Sequence, residues 1–291
     1  MADNCKSINR VFSRKVIEDL INQRNNLIFD SVVIRYINDP EIKTYGEIIS
    51  EIYSYLGQSN RNEYYYMNTL LNKLLVGIHN VNTTTALSQV RIGSHIADFV
   101  MINGEGRVYE IKSDLDNFER LNDQLFDYFK AFSKVSVLAS EHERDRVEHV
   151  LDKLGDLGQT VGVYVLSEDD KIFSKVRSRE PKEFNELLDY RCIFTLLRKK
   201  EYENVILSYF GELPLVAPVF YFKECLKMFS QIPIIEAQKL AFKELKKRNK
   251  ITKADFESIP NTLKSLVYFS HLAKKIPVID NLLQSQYRGG L

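Results

Sequence analysis

The spacing of apolar residues divides the chain into three regions. From residue 1 to about 60, apolar positions recur at helical spacing, and Asn38-Asp39-Pro40 interrupts them. Between about 61 and 180, short β-branched and aromatic runs alternate with helical patterns. From 181 to 291, helical patterns return with almost no strand signal. The sequence therefore predicts a helical region over 1–60, an α/β core over 61–180 and a second helical region over 181–291.

The central region contains the elements of a mixed sheet. Strands are predicted over about 87–92, 96–102, 107–112, 135–138, 160–166 and 171–177. Helices are predicted over about 62–76, 116–131 and 141–154. Asn103-Gly104-Glu105-Gly106 indicates a hairpin. Strands separated by helices pair in parallel, so the predicted fold class is α/β, with a mixed sheet flanked by helices.

Composition is that of a globular chain. Of the 291 residues, 44% are apolar and 27% are charged, which excludes a disordered or fibrous protein. No apolar run approaches the roughly 20 residues of a membrane span, and the start lacks the apolar stretch of a signal peptide. The 3 cysteines are widely spaced without a CxxC pair, which argues against disulfides and a cysteine zinc site. A cytoplasmic location without membrane contact is expected.

Charge is unevenly distributed, although the net charge is only +1. Residues 181–291 contain 18 Lys+Arg against 12 Asp+Glu, and the remaining chain has an acidic excess. A basic region beside an acidic one suits a nucleic-acid surface next to metal-binding carboxylates, and solvated helix faces produce the same asymmetry. The basic cluster consists of Lys243, Lys246, Lys247, Arg248, Lys250 and Lys253. It suits phosphate contacts and a helix C-terminus equally well.

Three charged residues lie on the predicted hairpin. Glu110 and Lys112 are two apart on one strand, so their side chains leave the same face while Ile111 enters the opposite layer. Asp98 lies on the preceding strand. A three-residue loop places Asp98 opposite Glu110 or Lys112, whereas a two- or four-residue loop turns it to the other face. Charges among so many apolar neighbours indicate either a structural ion pair or a functional site.

Residues in two helices extend this constellation. Glu63 prolongs the apolar stripe of the helix over 62–76 and is expected to face the sheet rather than water, the alternative being a solvated helix end. Gln124 and Tyr128 are four apart, on one face of the helix over 116–131, the alternative being ordinary packing. Together these positions predict one polar pocket built from four consecutive elements.

The order of these elements resembles the PD-(D/E)XK nuclease superfamily. The resemblance rests on Glu63 in a helix, Asp98 and Glu110-Ile111-Lys112 in a hairpin, and the QxxxY pair of Gln124 and Tyr128. The stretch IADFVMINGEGRVYEIKSDLDNFERLNDQLFDYFKAFSKVSVL also resembles a bacterial family known by a locus tag. The resemblance covers about 61–140 well and the flanking regions loosely. Ala97 precedes Asp98 where the superfamily pattern has proline.

The resemblance implies a Mg²⁺- or Mn²⁺-dependent hydrolysis of phosphodiester bonds, with DNA favoured over RNA. Asp98, Glu110 and the Ile111 carbonyl would bind the metal ion, and Glu63 would bind or orient a second metal or its water. Lys112 would position the attacking water or stabilise developing charge, with Gln124 and Tyr128 supporting the site or contacting phosphate. A homodimer and a role in defence or mobile-element biology are further expectations from the superfamily. The alternative is a nuclease-fold protein that binds nucleic acid or a protein partner without cleaving.

Overall fold

The computed structural model describes residues 2–59, 61–114, 116–172, 178–249 and 251–289. Its contacts divide the chain into two compact units. The helical unit consists of Met1–Val81 and Ile251–Leu291, and the sheet unit of Asn82–Lys250. The helix predicted over 62–76 therefore groups with the N-terminal helices rather than with the sheet. The C-terminal region predicted as one piece is divided between the two units.

The described α-helices are numbered in chain order. They are α1 (Ala2–Val11), α2 (Arg14–Ile21), α3 (Leu27–Tyr36), α4 (Tyr45–Ser59), α5 (Glu63–Asn72), α6 (Leu121–Phe129), α7 (Arg144–Asp152), α8 (Asp156–Thr160), α9 (Tyr190–Thr195), α10 (Lys199–Phe210), α11 (Pro218–Phe229), α12 (Ile234–Lys246), α13 (Lys253–Ser258), α14 (Lys264–Phe269) and α15 (Ile276–Gln284). Helices α1–α5 and α13–α15 belong to the helical unit, and α6–α12 belong to the sheet unit.

Capping residues set several helix starts. Asn26 and Asn62 stand before α3 and α5, and their side-chain oxygens accept hydrogen bonds from the backbone N–H groups of Phe29 and Tyr65. These two asparagines therefore mark where α3 and α5 begin. Within the helical unit, Thr44 pairs with Gln286 in an isolated antiparallel bridge. This bridge joins the segment before α4 to the segment after α15.

The sheet unit contains a mixed sheet, as predicted, and five strands form it among the described residues. Its strands are β1 (Thr85–Ile92), β2 (His95–Asn103), β3 (Glu105–Lys112), β4 (Lys134–Ser140) and β5 (Gly162–Leu166), in the spatial order β1-β2-β3-β4-β5. Strands β1 to β3 are antiparallel neighbours, and β3 to β5 are parallel. Residues 173–177 of the strand predicted over 171–177 lie outside the described residues.

Helices flank this sheet and bury a continuous apolar core. Val108, Val137 and Val163 of successive strands belong to the same buried cluster as Leu125 and Phe129 of α6. The cluster also includes buried side chains of α7 and α9–α12. The α6 helix is therefore held against the sheet by apolar burial on the face that carries Glu110.

Helix α6 begins at Leu121, five positions later than the predicted start at 116. The Asp116 carboxylate accepts hydrogen bonds from the backbone N–H and hydroxyl of Ser113, at 2.8 Å and 2.7 Å. Such an aspartate stabilises a turn rather than a helix interior. The helix predicted over 141–154 corresponds to α7, and the separate short helix α8 follows it.

Candidate active site

The register of β2 and β3 places Asp98 opposite Glu110. Phe99 pairs with Tyr109 and Val100 with Val108, and continuing this antiparallel register by one position sets Asp98 across from Glu110. This is one of the two arrangements that the sequence predicts for a three-residue hairpin loop. Directly opposed residues in an antiparallel pair lie close enough for their side chains to interact. The two carboxylates therefore share a face of the sheet.

Glu110 is the centre of a buried polar network. Its side chain is 2% exposed, and Oε1 accepts hydrogen bonds from Lys112 Nζ at 2.9 Å and Gln124 Nε2 at 2.5 Å. Its Oε2 accepts a hydrogen bond from the Tyr128 hydroxyl at 2.7 Å. Three donors from two elements thus compensate a carboxylate that burial would otherwise destabilise.

The Lys112 ammonium group is also buried, with the residue 7% exposed. It donates to Glu110 Oε1 at 2.9 Å and to Gln124 Oε1 at 3.0 Å. Gln124 therefore bridges the two charged groups by accepting from one and donating to the other. The structure brings together Glu110, Lys112, Gln124 and Tyr128 as the sequence predicted.

Helix α6 supplies the polar contacts because Gln124 and Tyr128 are one turn apart on the face that meets the sheet. Tyr128 is fully buried, and its hydroxyl also lies 2.9 Å from the Ile96 carbonyl oxygen. Burial, followed by the charge of Glu110, raises the pKa of Tyr128 far above its ordinary value. The phenol therefore remains a neutral hydrogen-bond donor.

Asp98 is held by the backbone of the neighbouring strand. Its Oδ2 accepts a hydrogen bond from the Ile111 N–H at 2.9 Å, and its Oδ1 lies 3.4 Å from Gln89 Nε2. Gln89 has a φ of 52°, in the left-handed region, inside β1. The pairing between β1 and β2 skips this residue, going from Ser88–Phe99 to Val90–Ala97.

Gln89 is a residue beside the site that sequence reasoning missed. Its only sequence signal is a polar side chain within an otherwise β-type run, which usually indicates a solvent-facing position. Its left-handed φ occurs at the position that the β1–β2 pairing skips, beside Asp98. Non-glycine residues in this conformation store about 1–3 kcal/mol of strain, and they concentrate at functional sites.

Glu63 lies in the helical unit, as the first residue of α5. Its side chain is exposed, so the expectation that it faces away from water is wrong. The buried positions of the helix, which include Tyr65, Tyr66, Leu70 and Leu71, begin two residues after Glu63. The role assigned to Glu63 in binding a metal or its water stays a prediction.

His95 is the first residue of β2, and its half-buried ring lies beside the buried carboxylate of Asp127. Its Nδ1 lies 2.7 Å from Asp127 Oδ2, which also accepts from the Ser94 N–H at 2.8 Å. Lys130 Nζ donates to Asp127 Oδ1 at 2.6 Å. Burial would raise the pKa of Asp127, but the hydrogen bonds from Lys130, His95 and Ser94 outweigh it and lower that pKa. Asp127 thereby joins α6 to the turn before β2.

Part of the predicted basic cluster is neutralised by ion pairs. Arg248 donates to Glu201 Oε2 at 2.6 Å and to the Leu196 carbonyl oxygen at 2.7 Å. Lys247 pairs with Glu244 on the same helix turn. Lys250 lies outside the described residues. These contacts favour a structural role for Arg248 and Lys247 over phosphate binding.

The oxygen atoms beside Lys112 are the candidate donors for a cation. Asp98 and Glu110 offer carboxylate oxygens, and Ile111 between the two charged β3 residues offers a carbonyl. Over the described ranges, no cluster of three or more His, Cys, Asp or Glu side chains is arranged to hold a metal ion. An incomplete shell of hard oxygen donors, completed by water and phosphate, fits Mg²⁺ better than zinc or other softer metals.

The fold and the site define a mixed α/β protein whose sheet carries a buried carboxylate–lysine network beside a second carboxylate. The family model described as Bacteriophage P4 protein cII matches residues 57–267, and the chain belongs to this family. No curated protein and no solved structure matches the chain. Across the residues described, no helix combines the length and apolar character needed to cross a membrane.

Proposed function

We propose that this protein is a metal-dependent nuclease of the PD-(D/E)XK type, acting on DNA in preference to RNA. The observation that carries the proposal is the placement of Asp98 opposite Glu110, with Lys112 Nζ 2.9 Å from Glu110 Oε1. Two carboxylates and an ammonium group converging on one sheet face match the donor and charge requirements of phosphodiester hydrolysis. The resemblance of the sequence pattern to that superfamily supports the same assignment.

In this proposal, Asp98, Glu110 and the Ile111 carbonyl hold Mg²⁺ or Mn²⁺. A bound divalent ion would supply charge neutralisation for the phosphate and lower the pKa of water. Lys112 would orient the attacking water through its ammonium protons and stabilise negative charge as it develops. Gln124 and Tyr128 would keep the Glu110 carboxylate oriented, which their present hydrogen bonds already do.

A cleavage assay tests this proposal on duplex, single-stranded and branched DNA and on RNA, with Mg²⁺, Mn²⁺ or EDTA. Asp98→Asn, Glu110→Gln and Lys112→Met should each lower metal-dependent cleavage by about 100-fold or more. Asp123→Asn, which removes an exposed carboxylate of α6 outside the network, should cleave like the wild type. Cleavage that survives in all three site variants would overturn the assignment.

The alternative is a nuclease-fold protein that binds nucleic acid or a protein partner without cleaving. The observation that favours it is the internal pairing of the network, since both oxygens of Glu110 already accept hydrogen bonds. A buried network whose hydrogen bonds are all made without a ligand can have a purely structural role. Retarded migration of nucleic acid with no cleavage under any metal condition would favour this alternative.

A further inference from the structure

An uncharged apolar segment lies on the surface of the sheet unit. It covers residues 213–222, with the sequence LPLVAPVFYF, and includes the connection between α10 and α11 and the start of α11. Its exposed large side chains are Leu215, Val216, Val219, Phe220 and Phe222. Leu215 is fully exposed, and Val219 is 80% exposed. We call this surface the 213–222 patch.

Helix α11 is apolar on its buried side and, at its start, on its exposed side as well. Cys225 and Phe229 are buried in the core of the sheet unit. A surface helix usually carries polar side chains on its other face, whereas α11 presents Val219 and Phe220 to solvent. A contiguous exposed apolar surface of this kind marks an interaction site.

Contacts beneath the 213–222 patch fix its position on the sheet unit. The Tyr221 hydroxyl donates to Glu203 Oε1 at 2.8 Å. The Phe222 ring packs edge-on against the Phe194 ring, with 5.2 Å between their centroids. Two prolines within the patch also restrict the backbone φ angles. A surface that is already ordered loses little conformational entropy on association.

The area of the patch matches what a dimer needs. At about 150–200 Å² for a fully exposed large side chain, the exposed fractions of its five large residues amount to about 500–600 Å² on one copy. Two copies in contact through this surface would bury about 1,000 Å² or more, which is the lower limit expected of a biological interface. Ala217 and Pro218, which are also exposed, add to this area.

Opposite charges stand at the two ends of the patch. Glu212 precedes it and Lys223 follows it, and both side chains are exposed. Neither makes an ion pair within the part of the chain that the structure describes. In a two-fold antiparallel contact, Glu212 of one copy would lie near Lys223 of the partner subunit, and the same pair would form again at the other end. The surface is therefore self-complementary, because its centre carries no charge and its ends attract.

We propose that the 213–222 patch is a homodimer interface, in which two copies of the chain pack about a two-fold axis with their patches antiparallel. Leu215, Val219 and Phe220 form its apolar centre, and Glu212 and Lys223 form its charged rim. This surface lies outside the candidate active site, so the proposal does not depend on nuclease activity.

Sedimentation equilibrium of the full chain across the micromolar range, in EDTA and without nucleic acid, tests this proposal. The wild type should form a dimer with a dissociation constant of about 1 µM or below. Leu215→Glu and Val219→Glu should each weaken dimerisation by at least about 30-fold, because they bring like charges into an apolar interface. Both side chains are exposed in the monomer, so both variants should unfold at the temperature of the wild type.

Leu27→Glu is the matched control, because Leu27 is 70% exposed on α3, outside the patch. It should dimerise like the wild type, and so should Asp98→Asn. A monomeric wild type overturns the proposal, as does a dimer that survives in both patch variants or is lost in Leu27→Glu. A monomeric wild type that sediments with phosphatidylglycerol vesicles through the patch would assign the surface to a membrane instead.

A charge exchange tests the antiparallel arrangement. Glu212→Lys and Lys223→Glu should each weaken the dimer about 5-fold, the scale of an exposed ion pair made twice. The double variant restores opposite charges at both ends and should dimerise nearly as tightly as the wild type. A double variant weaker than either single variant, or assemblies larger than a dimer in the wild type, would contradict the two-fold antiparallel contact.

Discussion

The Tyr128 hydroxyl donates a hydrogen bond to Glu110 Oε2 at 2.7 Å. A residue of α6 thereby fixes one oxygen of a carboxylate carried by β3, while Gln124 from the same helix fixes the other at 2.5 Å. Because the helix is anchored on the sheet by apolar burial, the orientation of Glu110 depends on the packing of α6.

Tyr128→Phe should destabilise the fold by about 1.5–3 kcal/mol, because it removes a donor from a buried carboxylate. Tyr164→Phe provides the matched control, since Tyr164 is equally buried but its hydroxyl donates to the exposed Glu180. That change should cost about 1 kcal/mol or less, because water can replace the lost donor. Denaturant unfolding of the two variants checks the difference, and equal costs would contradict a special role for the Glu110 contact.

Glu110 and Lys112 should be strongly coupled in stability. Glu110→Gln leaves the buried ammonium group without its carboxylate and should cost about 3–5 kcal/mol, and Lys112→Met should cost a comparable amount. The double variant should lose less than the sum of the two, because neither buried charge then remains unpaired. A double-mutant cycle in urea measures the coupling. Additive costs would show that the pair is stabilised mainly by other groups.

Mg²⁺ should stabilise the wild type against heat if Asp98 and Glu110 hold the ion. At about ten times the dissociation constant, one bound ion contributes about 1.4 kcal/mol to the free energy of unfolding. Asp98→Asn should lose this gain, and Asp123→Asn should keep it. Differential scanning fluorimetry in Mg²⁺ and in EDTA provides the measurement, and an equal gain in Asp98→Asn would place the ion elsewhere.

The Asp127 pair should contribute a stability that is lost in acid. The folded pKa of Asp127 lies below its ordinary value, which is about 3.9 in an unfolded chain. Its contribution is therefore fully present above about pH 4 and is lost as the pH falls through the lower folded pKa. Asp127→Asn should show a shallower loss of unfolding free energy between neutral and acid pH than the wild type. Parallel pH profiles in the two proteins would show that Asp127 does not cause the loss of stability in acid.

Gly106→Ala should destabilise the sheet unit by about 1–3 kcal/mol through overpacking. A Cβ atom at Gly106 would lie 2.5 Å from the Phe242 ring and 2.8 Å from Phe132. Gly104→Ala is the control, because its Cβ meets nothing within 4 Å and its cost comes only from a φ of 74°. Combining Gly106→Ala with Phe242→Leu should recover part of the loss. The absence of recovery would mean that the aromatic contact is not the cause.

Most residues of the candidate site could be predicted from the sequence, because they lie close together in the chain. Glu110 and Lys112 share a strand face, and Gln124 and Tyr128 share a helix face, for reasons of local periodicity. A three-residue hairpin loop left two positions for Asp98, and a two- or four-residue loop would have turned it to the other face. Gln89 and Asp127 escaped prediction because their roles depend on a left-handed residue and on a helix-to-turn contact that local patterns do not specify.

By itself, the sequence determined the mixed α/β class, the five strands of the described sheet and the face shared by Glu110 and Lys112, since strand and helix periods are local properties. Tertiary structure decided the register that opposes Asp98 to Glu110, and it decided which helices group together. The bridge between Thr44 and Gln286 and the contact of Tyr287 with Asp30 join segments far apart in the chain. Such contacts form where distant apolar surfaces are buried together, and no short stretch of sequence encodes that partnership.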